Sequence, residues 1–325
     1  MNKTAFGIVG CGYQTVRNMA PAMAKCEQVY MAGCYDNDPA KAKALAQNHG
    51  IRAYDSLTQL LEDTSIDAIY VATPTVSHQE ICLAAAAAGK HILCEKSLAM
   101  DLGQAQNMVD ACKARGLSLV EGFMYRHHAQ HKYVQEQICG GELGKPWLFE
   151  AWFGFPALPQ TDFRRNKNLG GGVILDAGAY TVHAARNFFG REPRRIVSVI
   201  HHDENGLDIQ GRVLMDFGDQ QSAQLAFGMD NGYKNSYSIW CEKGEIWLKR
   251  AFSMPASELP VCFVKTQGLL REHQLAPCDH FLEELKAFCG LDDAGREAHY
   301  LDIIGQAEAM SQIAAAGSSN TGTLT

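Results

Sequence analysis

The chain has 325 residues, 46% of them hydrophobic, and a formal net charge of −7. That length predicts two domains with substantial cores. The acidic balance excludes a general nucleic-acid binder, which needs a basic face, and no apolar run is long enough to span a bilayer. Eleven cysteines are scattered without a Cys-x-x-Cys pair. Several sit within apolar strands, where a thiol behaves as a small hydrophobe. Met1-Asn2-Lys3-Thr4 leads straight into a strand with no apolar leader. The expectation is a reduced, cytoplasmic protein without a structural metal.

The first third alternates strand and helix. Predicted strands are Ala5–Gly10, Val29–Asp36, Ala68–Thr73, His91–Glu95 and Ser118–Glu121. They are continuous apolar runs, as expected when helices cover both faces of a parallel sheet. Helical segments lie between them: Thr15–Lys25, Pro39–Asn48, Leu57–Glu62, Ser77–Ala88 and Leu102–Arg115. Pro21 should kink or shorten the first of these.

The pattern changes after Gly122. Tyr125–Ile138 reads as a polar helix and Trp147–Pro156 as an aromatic-rich strand. Arg195–His202, Gln210–Phe217, Ser222–Met229, Tyr237–Cys241 and Ile246–Arg250 alternate and are broken by glycine turns. That predicts a mostly antiparallel sheet. A helix over Val173–Phe189 interrupts it, and Asp279–Cys289 and Glu297–Ala316 close the chain. The tail Gly317–Thr325 is small and polar and is expected to fray. The predicted fold is α/β, with a parallel-sheet domain over 1–122. A second α/β domain, built on the mostly antiparallel sheet, is expected over 123–325.

The run Phe6-Gly7-Ile8-Val9-Gly10-Cys11-Gly12-Tyr13-Gln14-Thr15 takes a strand directly into a glycine turn, and Asp36 ends the next strand. A dinucleotide site requires that order. Gly10 permits the tight turn, and Gly12 lets the backbone approach a pyrophosphate. The following helix N-terminus, with Tyr13 and Gln14, then faces the phosphates. Thr15 stands where the pattern has its third glycine, so close helix–strand packing is not assured. Asp36 would accept from the ribose hydroxyls. Its charge disfavours a 2′-phosphate, which predicts NAD(H) over NADP(H). The other use for Asp36 is to cap the helix at Pro39, but Asp38 is better placed for that.

Two further stretches carry chemistry. Val71-Ala72-Thr73-Pro74-Thr75-Val76-Ser77-His78 and Gly89-Lys90-His91-Ile92-Leu93-Cys94-Glu95-Lys96-Ser97 both contain strand ends of the same sheet, where ligands bind. Thr73 and Pro74 would wall the cofactor, with His78, Glu95 and Lys96 in the same crevice. A solvated Lys96 paired with Glu95 is the plainer alternative. Gly170-Gly171-Gly172 precedes a helical run containing Asp176, Gly178, Tyr180 and His183. Asp176 and Tyr180, four apart, share a helix face. A carboxylate in so apolar a run needs a partner. Tyr180 could equally be core. Gly178 suggests that something approaches closely. Arg164 could meet a substrate phosphate, and His183 could line the pocket. His127, His128 and His131 lack the Glu of a His-Glu-x-x-His site, so no metal is expected.

Taken together, these blocks resemble the glucose–fructose oxidoreductase / inositol dehydrogenase (Gfo/Idh/MocA) family over nearly the whole chain. The carriers are the turn Gly10–Thr15, Ala72-Thr73-Pro74, Ala88-Gly89-Lys90-His91, Glu95-Lys96, and Gly170-Gly171-Gly172 with Asp176 and Tyr180. The resemblance implies a Rossmann domain plus a domain whose open sheet forms the interface of a homodimer or homotetramer. Lys96 looks like the lysine of the family's Glu-Lys-Pro motif, with Ser97 in place of the proline. Tyr180 looks like the proton-exchanging His or Tyr, and Asp176 like its partner carboxylate. Tyrosine resembles the branch with sugar 3-ketoreductases and dihydrodiol dehydrogenases.

The implied activity is hydride transfer between nicotinamide and a sugar or nucleotide-sugar carbonyl. Catalysis falls to Lys96, Tyr180 and Asp176. Phenol has a pKa of ~10 and is a poor base at neutral pH. A lysine cation ~4 Å away at an effective dielectric of ~20 contributes ~4 kcal/mol, or ~3 pK units, before desolvation opposes it. Lys96 and Tyr180 therefore make chemical sense as a pair. The alternatives are a dehydrogenase of an inositol or a non-sugar diol, and a non-catalytic dinucleotide sensor on the same fold.

Overall fold

The structure is a computed structural model and describes residues 3–319. Met1-Asn2, where the leader-free start was read, and the part of the tail beyond Ser319 lie outside the described residues. The chain divides into two compact units, Met1–Met124 with Phe281–Ile304, and Tyr125–His280 with Gly305–Thr325.

In the first unit, strands β1 (Thr4–Val9), β2 (Val29–Tyr35), β3 (Arg52–Ala53), β4 (Ala68–Val71), β5 (His91–Glu95) and β6 (Leu119–Gly122) form one parallel sheet. Their order is β3-β2-β1-β4-β5-β6. All four residues of β4 are buried, as in a strand covered on both faces. The covering helices are α1 (Ala20–Lys25), α2 (Pro39–His49), α3 (Leu57–Glu62), α4 (His78–Ala87) and α5 (Leu102–Lys113). Side chains of Asp38, Ser56 and Asp101 accept from backbone N–H groups of the first turns of α2, α3 and α5.

The expected helix Thr15–Lys25 has two parts. Thr15–Met19 is a π turn, and α1 follows with Pro21 in its first turn. The helical backbone runs through from the π turn into α1, and the wider turn just before Pro21 accommodates its missing N–H, so the predicted break becomes a change of helical pitch.

In the second unit, eight strands make a mixed sheet: β7 (Pro146–Phe155), β8 (Arg195–His202), β9 (Asp208–Gly218), β10 (Gln221–Met229), β11 (Lys234–Cys241), β12 (Gly244–Leu248), β13 (Val261–Thr266) and β14 (Leu269–Gln274). The order is β14-β13-β12-β11-β7-β10-β9-β8, and only the β7–β10 pair is parallel. Helices α6 (Ala129–Cys139) and α7 (Ala179–Phe189) belong to this unit. The first eight residues of α7 are buried. The opposite alternation in β8 and β9 leaves Val197, Val199 and Leu214 exposed. One sheet face is therefore open.

The C-terminal helices α8 (His280–Cys289) and α9 (Asp293–Ser319) differ from the expected partition at 122/123. Phe281–Ile304 packs with the first unit. The Phe288 ring lies 5.4 Å from Phe6, Lys113 pairs with Glu297 at 2.7 Å, and the Tyr300 hydroxyl donates to the Leu117 carbonyl. From Gly305 onward α9 serves the second unit, where Gln306 donates to the Ala179 carbonyl at 3.1 Å. No helix among the described residues is long and apolar enough to cross a membrane.

Gly33 lies where β2 meets β3, and a Cβ there would strike the Tyr54 ring and sit 2.9 Å from the Arg52 carbonyl. The ring cannot retreat easily, because its hydroxyl donates to Asp63 at 2.6 Å and Arg52 covers its face at 4.3 Å. Gly33→Ala should cost ~1–3 kcal/mol, the usual range for overpacking, read as a lower urea midpoint at unchanged slope.

Candidate active site

The carboxyl ends of β1, β2, β4 and β5 build a cradle in the first unit. Gly10 has φ +97°, and a Cβ on it would lie 2.5 Å from the Ala72 carbonyl oxygen. Only glycine fits. Around Gly12 the position of a Cβ is open space, so the backbone there is bare toward any ligand. Thr15 is fully buried and donates its hydroxyl to the Gly10 carbonyl at 2.6 Å. Where the motif's third glycine would pack closely, this chain has a wider π turn and a side-chain bond. Tyr13 is 76% exposed at the mouth.

Asp36 holds the turn. Its two carboxylate oxygens accept from the backbone N–H groups of Cys11 at 2.7 Å and Asp38 at 2.8 Å. Asp38 does the capping, accepting from Ala40 N–H at 3.0 Å. The Asp36 oxygens keep lone pairs for further donors.

Glu95, expected in the crevice, is buried, and its Oε1 accepts from the Tyr70 hydroxyl at 2.6 Å and from Gln14 Nε2 at 3.1 Å. Burial pushes its pKa up, and the two donors oppose that. Gln14 is thus drawn inward and accepts in turn from Asn18 at 2.8 Å. His78 is also buried. Its Nε2 faces the Thr73 carbonyl at 2.8 Å, and its Nδ1 faces the Ser97 and Leu98 carbonyls at 3.0 and 3.3 Å. Burial pushes its pKa down. The expectation of His78 at the cofactor is corrected on this point. The neutral ring carries one N–H and donates to one of these carbonyls. At 1% exposed, packed between the loops after β4 and β5, it has no face to present. Thr73 accepts from the Ser77 hydroxyl at 2.8 Å, beside Pro74. Lys96 is half-buried directly after β5, and the Lys96–Ser97 peptide is cis.

The second unit gathers the other expected residues. Gly171 lies so close to the carbonyls of Phe163, Arg164 and Asn166 that a Cβ would sit 2.6–2.7 Å from them. Asp208 accepts from Ile174 N–H at 2.6 Å and seats the helix start. That start is a π turn, Ile174–Gly178, and α7 continues from it. The close approach expected at Gly178 is the Phe227 ring, 3.1 Å from where a Cβ would be. Asp176 has the partner it needs: Arg164 Nε donates to it at 2.8 Å and Arg164 Nη1 pairs with Asp162 at 3.3 Å.

Tyr180 is 7% exposed. Its ring meets those of Phe153 at 5.3 Å, Phe252 at 5.8 Å and Tyr125 at 5.9 Å. His183, expected to line the pocket, is instead 1% exposed, with its Nδ1 2.6 Å from the Tyr125 hydroxyl. Helical spacing put it on the face next to Tyr180, but that face is filled by Tyr125. Tyr125 and Phe252 were missed. The polar sequence around Tyr125 gave it no core signature, and Phe252 lies in a loop without periodicity.

The suspected histidine cluster is largely internal. His131 is bonded to the Tyr237 hydroxyl and the Ala251 carbonyl, both at 3.0 Å. His128 and His280 pack edge to face at 5.8 Å. Among the described residues no group of three or more His, Cys, Asp or Glu could hold a metal ion.

Two family profiles match the chain, that of the Gfo/Idh/MocA oxidoreductase family with an NAD-binding Rossmann fold over residues 4–123, and that of the family's C-terminal domain over 131–247. The protein belongs to this family and is an NAD(P)-dependent oxidoreductase. A dTDP-3,4-didehydro-2,6-dideoxy-alpha-D-glucose 3-reductase from Saccharopolyspora spinosa is 33% identical over 320 residues, covering 93% of this chain and 96% of that one. The crystal structure of a 3-ketoreductase from Actinomadura kijaniata, in complex with NADP and TDP-benzene, superposes with a TM-score of 0.92 at 30% identity. It covers 97% of this chain and 98% of that one. A trans-1,2-dihydrobenzene-1,2-diol dehydrogenase from Xenopus tropicalis is 28% identical, covering 72% and 76%.

Burial holds His128, His131 and His280 neutral, with pKa values down at about 4, 3 and 4. In the unfolded chain they return to about 6.5 and take up protons first as the pH falls. The stability they allow is complete above about pH 6.5 and is lost as the pH drops toward 4. The urea midpoint should decline over that window, and His128→Asn should make the decline shallower. A slope unchanged by the substitution would remove these groups from the account.

Proposed function

We propose that this enzyme transfers hydride between NAD(H) and a ring carbon of a nucleotide-linked sugar, with Lys96 and Tyr180 acting on the same substrate oxygen. The single observation that carries the assignment is the pairing of the two residues along the chain. The A. kijaniata 3-ketoreductase has also been solved as a Lys→Ala and as a Tyr→Phe variant, and the two varied positions are separated by the same length of chain as Lys96 and Tyr180.

The cradle fits a dinucleotide, since Gly10 and Gly12 leave bare backbone where side chains would intrude. Their turn and the helix N-terminus that follows it would face the pyrophosphate. Tyr13 and Gln14 flank it, Asp36 accepts from the adenosine ribose, and Thr73 and Pro74 form the wall. His78 and Glu95 fix those loops from behind. When bound, the nicotinamide supplies or accepts the hydride.

Tyr180 exchanges the proton of the substrate oxygen. The Lys96 ammonium favours the phenolate form and stabilises charge on that oxygen. Asp176, held by Arg164, fixes the start of the helix that carries Tyr180. Arg164, steadied by two carboxylates, presents its outer edge to an anionic substrate group. Asp36 and Asp38 at the ribose end repel a 2′-phosphate, which supports NAD(H), although NADP occupies the A. kijaniata structure. The open sheet face with Val197, Val199, Leu214 and Trp240 supports a homo-oligomer. Eleven cysteines without a Cys-x-x-Cys pair support a cytoplasmic setting.

Lys96→Met and Tyr180→Phe should each lower kcat for keto-sugar nucleotides by ~10²–10⁴, the span of general acid–base effects, with NADH affinity within about twofold. Near-normal turnover by either variant removes the assignment, and cofactor binding without turnover by the wild type would make the protein a sensor. In steady-state assays kcat/KM should favour NADH over NADPH by at least about tenfold, and Asp36→Ser should narrow that ratio. A preference for NADPH would reverse the cofactor proposal.

A further inference from the structure

Phe252 is completely buried, in a short loop after β12. Its ring touches four other aromatic rings: Tyr125 at 5.4 Å, Phe153 at 5.5 Å, Tyr180 at 5.8 Å and Tyr237 at 6.4 Å. Phe153 is stacked on it at 26°, and Tyr125 meets it edge-on at 84°. The cluster therefore closes around Tyr180 from two directions, and Phe252 is the ring common to both.

A loop residue keeps such a place only if its backbone is held. Asn235, on β11 and 1% exposed, does the holding. Its Oδ1 accepts from the N–H groups of Ala251 at 3.1 Å and Phe252 at 2.7 Å. Its Nδ2 donates to the Ser253 hydroxyl at 2.9 Å and the Tyr233 hydroxyl at 3.0 Å. Its backbone carbonyl shares that same Ala251 N–H at 3.0 Å, a bifurcated bond. The side-chain amide thus uses both donors and both acceptor sites on one loop and its neighbour. A buried amide so fully committed fixes geometry more than it adds net stability.

We propose that Asn235 and Phe252 are positioning residues for the reaction: Asn235 latches the loop 250–253, and the latched Phe252 ring sets the plane and depth of the Tyr180 phenol. This rests on the reading of Tyr180 as the proton-exchanging group. The substrate and cofactor are bound by other residues, so loss of the latch is felt in turnover rather than in binding.

Purified full-length enzyme is assayed with NADH and a keto-sugar nucleotide. Phe252→Leu and Asn235→Ala should each lower kcat by about tenfold or more, since displacing a reacting group by ~1 Å costs up to ~10²-fold. KM for both substrates and the NADH dissociation constant should stay within about twofold. The double variant should be no worse than the poorer single one, because both act through one ring. Phe217→Leu serves as a stability control: an equally buried ring outside the cluster, it should lower Tm with kcat unchanged. If Phe252→Leu does not fold, Phe252→Met takes its place. Turnover retained in Phe252→Leu, or losses that multiply in the double variant, overturns the inference. Turnover retained in Tyr180→Phe instead overturns the reading beneath it, so the two failures are distinguishable.

Discussion

A carboxylate buried at the end of a strand governs the cofactor unit. Burying a charged carboxylate costs several kcal/mol unless donors meet it. Glu95 is met by the Tyr70 hydroxyl from β4 and by Gln14 from the turn after β1. One group therefore fixes the ends of two neighbouring strands and the glycine turn relative to one another. His78 does the same work with backbone partners, joining the loops after β4 and β5. The crevice walls are rigid because the polar groups behind them have no other place to go.

The second unit solves a related problem with rings instead of charges. Tyr180 stands in a helix entered through a glycine loop, a π turn and the Asp208 seat. Arg164 clamps Asp176 beside that entry. In the proposed role of Tyr180, the phenol must be held in place. An aromatic surround fixes the ring through many weak contacts. π turns begin both functional helices of this chain, a placement often seen near sites because the wider turn re-aims side chains.

Much of this was legible in the residue order. Continuous apolar runs marked the parallel strands, Asp38-Pro39 marked a helix start, and the glycine turn with Asp36 marked the cofactor cradle. Asp176 in an apolar run called for a counter-charge, and Arg164 supplies it. What stayed hidden depended on long-range pairing. β14 was missed because its exposed, charged residues blur the alternation, and β13, which pairs with it, was missed with it. Nothing local shows that Phe281–Ile304 packs with the first unit rather than the second. His183 and His78 looked like ligand residues because histidine suits such roles, yet each is consumed by an internal bond. Asn235 carries no motif at all, since its worth comes from a loop sixteen residues away.

The distribution of thiols has a practical side. Of the eleven cysteines, eight are buried, two are intermediate and Cys139, at the end of α6, is exposed. Burial pushes Cys112, Cys241 and Cys262 up to about 12, far from the thiolate that reacts with electrophiles. The native chain thus offers a near-unique handle for a maleimide dye. A fluorophore could be placed on the second unit without first stripping the eight buried cysteines.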